Sequence, residues 1–85
     1  MVYNVNINFA LQKETLTLYK KIRDLREDSD LTQKEIAEIL HLHKTTYTRY
    51  ESGERELPLN VAIQLAKHYR VSLDYLAGLS NQKQA

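Results

Sequence analysis

Lys44, Thr45, Thr48, Arg49 and Ser52 stand within nine residues of one another, and helical spacing puts the last four on one face with Lys44 at the first turn. These hydrogen-bonding side chains have the length to reach base edges and phosphates in a major groove. The planar fork of Arg49 suits guanine, and a threonine methyl suits the methyl of thymine. The opposite face carries Tyr47, Tyr50 and Glu51 at the i, i+3, i+4 spacing of a buried stripe, so no core needs the polar set. On composition alone the polar set would read as a solvated face. Arg55, between Glu54 and Glu56, reads equally as a solvated loop charge or as a phosphate contact.

Other chemistries fit less well. His41 and His43 are two residues apart in a turn, with no cysteine in the chain and His68 on a distant segment, so no metal site is expected. Tyr47, Tyr50, Tyr69 and Tyr75 recur at core spacing and are expected to pack rather than to stack on single-stranded bases. No nucleophile with an adjacent base, no paired catalytic carboxylates and no glycine-rich phosphate loop occur, so neither an enzyme nor a cofactor is expected.

The elements that must position the polar face are legible from caps and periods. Thr32 followed three residues later by Glu35 is a capping box, so a helix should begin at Gln33, with Ile36, Ala37, Ile39 and Leu40 as its inner stripe. The chain turns through His41, Leu42 and His43 into the polar-faced helix, which Gly53 ends. Upstream, Leu11, Leu18, Ile22 and Leu25 predict a first helix from about Thr15 to Glu27, left through Asp28, Ser29 and Asp30. Downstream, Glu54 to Leu57 is a charged loop and Pro58 suits a first helical turn. Ala62, Leu65, Ala66 and Tyr69 mark a fourth stripe, and Ser72 caps a short fifth helix through Leu76, with Gly78 at its end.

Tyr3, Val5, Ile7 and Phe9 alternate with Asn4, Asn6 and Asn8, the period of a half-buried strand. A lone strand leaves its backbone groups unsatisfied, which predicts antiparallel pairing with the same segment of a second subunit. A disordered tail, or a hairpin with Thr15 to Leu18, are the other readings. The expected division is an extension with a strand over 1–14 as a dimerisation arm, a helical domain over 15–79 and a flexible tail over 80–85.

Eighty-five residues with no run near the roughly 20 apolar residues of a membrane span fit one small domain. The absence of cysteine leaves helix packing or dimerisation to stabilise it. MVYNVNINF lacks the basic region and apolar core of a signal peptide, so a cytoplasmic location is expected. Net charge is +1, from 12 Lys and Arg against 11 Asp and Glu, which argues against binding DNA through bulk charge.

Four blocks stand in one order: LRE at Leu25 to Glu27, LTQKEIAEIL at Leu31 to Leu40, TTYTRYESG at Thr45 to Gly53 and VSLDYLAG at Val71 to Gly78. In that order and spacing the chain resembles the helix-turn-helix regulators of the Cro and lambda-repressor type, over about Leu16 to Leu79. Its wording is most similar to regulators of low-GC Gram-positive bacteria and their phages. The resemblance implies an all-α, compact five-helix domain binding double-stranded operator DNA, usually as a homodimer on a palindrome. It implies that Gln33 contacts a phosphate and braces the recognition helix, and that Lys44, Thr45 and Arg49 contact bases. It further implies that Thr46 and Ser52 touch the DNA backbone and that Arg26 and Glu51 form a buried ion pair. His43 and Thr48 complete the expected DNA-binding set. The turn departs from the family pattern, with His41 where a glycine is usual and His43 where a Ser or Thr cap is usual. The expected function is a sequence-specific repressor, bacterial or phage-encoded. The alternative is an antitoxin-type module that neutralises a partner toxin and autoregulates its operon.

Overall fold

The computed structural model describes residues 18–83, and the strand expected over Tyr3 to Phe9 lies outside them. The described residues are all-α, with no strand among them: α1 (residues 18–28), α2 (Gln33–Ile39), α3 (Lys44–Ser52), α4 (Leu59–Tyr69) and α5 (Leu73–Leu76). The start expected for the first helix, Thr15, also lies outside the described residues.

Each helix contributes one large, fully buried side chain to a common core: Ile22, Ile36, Tyr47, Leu65 and Leu76. Residues one helical turn away, among them Leu40, Tyr50 and Val61, fill the gaps together with Ala66, with Leu18, Leu25 and Leu57 packed at the margin. Two stripes differ from expectation. Ile39 is 44% exposed: Ile36, Ala37 and Leu40 face inward, and Ile39 lies roughly 100° around the helix from their midpoint. Val61, one turn before Leu65, is buried beside Ala62, so the inner stripe of α4 includes a residue beyond the expected four.

Caps define the helix starts. Thr32 Oγ1 accepts from Glu35 N at 3.0 Å while Thr32 N donates to a Glu35 carboxylate oxygen at 2.8 Å, the reciprocal capping box. Ser72 Oγ accepts from Tyr75 N at 3.0 Å and starts α5. Pro58 occupies the cap position just before α4 rather than its first turn.

The helix ends share a device. Asp30, His41, Arg70 and Gly78 all have positive φ, and each is bracketed by the 6→1 and 5→2 hydrogen bonds of a Schellman motif. For α2 these are Leu42 N to Ala37 O at 2.8 Å and His41 N to Glu38 O at 3.1 Å. Three of the four positions carry a side chain, although the left-handed region costs an L-residue roughly 1–2 kcal/mol; paired carbonyls and the burial of the next apolar residue offset it. Leu31, Leu42 and Val71 are those next residues, all half-buried against the core. After α5 the chain comes back, with Ser72 N donating to Lys83 O.

Candidate nucleic-acid interface

Gly53 closes α3 in the left-handed region at φ 82°. A Cβ there would lie 2.5 Å from the ring of Tyr19 on α1, so backbone and packing both favour glycine. The Tyr19 ring thus lies close against the end of α3.

The inner polar side of α3 is tied down by a connected network. Arg26 Nε and Nη2 donate to the two carboxylate oxygens of Glu51, each at 2.9 Å, a bidentate pair between α1 and α3. Arg26 Nη1 also donates to Leu31 O at 2.8 Å. Gln33 Nε2 donates to Glu51 at 3.2 Å, and Thr48 Oγ1 donates to Gln33 Oε1 at 3.0 Å. Arg26 and Glu51 side chains are 13% and 5% exposed, so the pair is desolvated and fixes geometry more than it adds stability.

Burial alone would raise the Glu51 carboxyl, but donation from Arg26 and the nearness of the Tyr47 hydroxyl and Gln33 outweigh it and hold it below its ordinary 4.5. The Tyr47 and Tyr69 hydroxyls are buried without a partner in bonding geometry. Burial, then the Glu51 carboxylate, holds Tyr47 well above the usual phenol range. Burial likewise pushes Tyr69 up to about 12, against the opposing pull of Arg26.

The outer side of α3 is open. Lys44, Thr45, Arg49 and Ser52 are exposed, while Thr46 and Thr48 are half-buried. His43 is exposed at the start of α3 and its side chain makes no capping bond, leaving the first-turn N–H groups of the helix uncapped by any side chain. Ser52 Oγ donates to Arg49 O at 3.2 Å and accepts from Glu54 N at 3.3 Å, so this hydroxyl serves the helix end. Arg49 Nε lies 3.2 Å from Glu54 Oε2, which leaves the outer edge of its guanidinium fork free.

The structure therefore places the expected residues in two groups. Gln33 and Thr48 join Arg26 and Glu51 in the brace between α1, α2 and α3, whereas Lys44, Thr45 and Arg49 share the open surface. Arg55 is exposed in the following loop, its N–H bonded to Arg49 O at 3.1 Å. Tyr3, Val5, Ile7 and Phe9 lie outside the described residues. Glu54 was not singled out from the sequence; its pairing with Arg49 depends on the reversal at Gly53, and the available signal was an acid five residues after an arginine across a helix-ending glycine. Among the described residues no group of three His, Cys, Asp or Glu side chains is arranged to hold a metal ion, and no helix is long and apolar enough to cross a membrane.

Two helices joined by a left-handed turn, the second braced on one side and open with basic and hydroxyl side chains on the other, define a helix-turn-helix domain. The helix-turn-helix family model matches residues 22–76, and the chain belongs to that family, of the Cro type. It is 36% identical over 62 residues to the uncharacterized HTH-type transcriptional regulator YobD of Bacillus subtilis, a match covering 73% of this chain and 55% of that protein. It is 43% identical over 53 residues to the cryptic phage CTXphi transcriptional repressor RstR of Vibrio cholerae, covering 62% and 48%. The chain thus spans about half the length of these relatives. The control protein C.SmaI of Serratia marcescens is 35% identical over 83 residues, covering 94% of this chain and 96% of that protein. No solved structure matches the chain.

Proposed function

We propose that the protein is a sequence-specific transcriptional regulator, acting in the cytoplasm as a repressor that occupies a palindromic operator through the major groove. The observation that carries this reading is the division of α3 into a braced side and an open side. The Arg26–Glu51–Gln33–Thr48 network holds the helix rigidly, so Lys44, Thr45 and Arg49 would meet DNA with little ordering left to do. Arg49 is the guanine reader, Thr45 contacts thymine and Lys44 adds charge at the first turn. The uncapped start of α3 beside His43, the N-terminal turn of α2 at Gln33, and Thr46, Ser52 and Arg55 supply phosphate contacts. Repression is supported by the name of the phage relative.

A palindrome demands two copies with recognition helices about one DNA turn, roughly 34 Å, apart. In this reading the segments from Tyr3 to Phe9 of two subunits pair as an antiparallel ribbon across the two-fold axis. The test is to sequence the duplexes that the purified protein retains from a random pool, then to measure affinity for the winner against salt. A dimer neutralising about six phosphates gives a log–log slope near −5. A flat slope, or equal affinity for scrambled duplexes, would overturn the reading.

A further inference from the structure

Glu54 lies beyond the end of α3, yet its carboxylate meets the side chain of Arg49 within that helix, with Arg49 Nε 3.2 Å from Glu54 Oε2. The reversal at Gly53 brings the two together, and the backbone holds them there. Arg49 O accepts from Arg55 N at 3.1 Å and from Ser52 Oγ at 3.2 Å, and the same hydroxyl accepts from Glu54 N at 3.3 Å. Lys44 and Arg55, the exposed cations before and after Arg49 in α3 and the following loop, pair with no acid among the described residues. A carboxylate placed here lowers the attraction of this surface for phosphates.

We propose that Glu54 is a positioning residue that makes Arg49 selective, disfavouring its contact with phosphates while leaving its contact with a base intact; this rests on the reading of Arg49 as a guanine contact. With Nε held by the carboxylate, Nη1 and Nη2 remain for a bidentate pair with guanine O6 and N7. Arg49 therefore reads its base without leaving Glu54. On a wrong sequence the guanidinium turns to a phosphate instead, a contact that carries no sequence information. It then gives up Glu54 or carries the carboxylate toward a second anion, and either penalises the wrong complex alone. The two side chains are 46% and 67% exposed, so the pair is wet and weak. Its effect on the ratio of right to wrong binding is a factor of up to about five.

The test measures the affinity of the full chain, across a range of salt, for the operator selected from the random pool and for a scrambled duplex. Glu54→Gln should lower the ratio of the two affinities by about two- to fivefold. The change should come mainly from tighter binding to the scrambled duplex, whose log–log salt slope steepens by roughly 0.9 as one more phosphate is neutralised. Glu54→Asp keeps the charge but is shorter by one bond, about 1.5 Å, and should also lower the ratio. Glu56→Gln removes the same charge from an exposed residue not paired with Arg49, and should tighten both duplexes alike. In an Arg49→Ala background Glu54→Gln should leave the ratio where it is. A preferred operator whose ratio responds equally to Glu54→Gln and Glu56→Gln overturns the proposal alone, as does an unchanged ratio in Glu54→Asp or an equal fall in the Arg49→Ala background. A wild type with no preference between the duplexes overturns the reading of the site and the proposal with it.

Discussion

Replacing Glu51 with alanine should remove far more stability than the loss of one hydrogen-bonded side chain implies. The Arg26 side chain is 13% exposed and would be left without the carboxylate that accepts two of its donors, while Gln33 loses an acceptor and its hold on Thr48 weakens. Breaking a buried pair from one side costs about 3–5 kcal/mol. The bond from Arg26 Nη1 to Leu31 O survives and places the expected loss near the lower end, about 3 kcal/mol. For a domain of this size each kcal/mol moves Tm by about 4–8 °C, so thermal melts followed by circular dichroism should show a fall of roughly 12–24 °C. Adding Arg26→Met should recover much of it, since an apolar neighbour makes no demand on the missing carboxylate.

The pH dependence has a definite sign. The Glu51 carboxyl is held below its ordinary value in the folded state, so its contribution is present above about pH 4.5 and is lost as pH falls through the lower folded value. The wild type should therefore lose stability in acid more steeply than the double variant. Strictly additive Tm losses for Arg26→Met and Glu51→Ala, with unchanged acid slopes, would refute the coupling.

Gly53→Ala should destabilise by about 1–2 kcal/mol from the left-handed backbone, with an added loss from displacing the Tyr19 ring; that added part should vanish in a Tyr19→Ala background, as melts of both will show. His41→Gly should raise Tm by a few degrees, because relief of positive φ slightly exceeds the entropy cost of glycine, and a lower Tm would mean that the imidazole itself contributes. Arg49→Ala should cost about 1–3 kcal/mol on the selected operator and relax choice at one base pair; equal weakening on every sequence in a binding titration would make Arg49 a phosphate contact only. Glu54→Gln should strengthen binding to scrambled duplex, since it removes a negative charge beside Arg49, and unchanged scrambled-duplex affinity would place Glu54 away from the DNA.

What the amino-acid order determined by itself was everything set by neighbours within about a turn. The Thr32–Glu35 box, the Tyr47, Tyr50 and Glu51 stripe, the Gly53 stop and the Ser72 cap are short-range matters of hydrogen-bond reach and helical period, and each stands where the residues imply. The open position of Lys44, Thr45 and Arg49 follows from the same period. Tertiary structure decided the margins and the partners. Tertiary packing covers Val61, one turn before Leu65, and leaves Ile39, at the edge of its stripe, 44% exposed. Thr48 turned from the outer face toward Gln33, and Arg49 met Glu54, because the α2–α3 corner and the reversal at Gly53 bring those atoms within 3.0 and 3.2 Å. Such pairings depend on the relative placement of rigid helices, to which a one-dimensional period is blind.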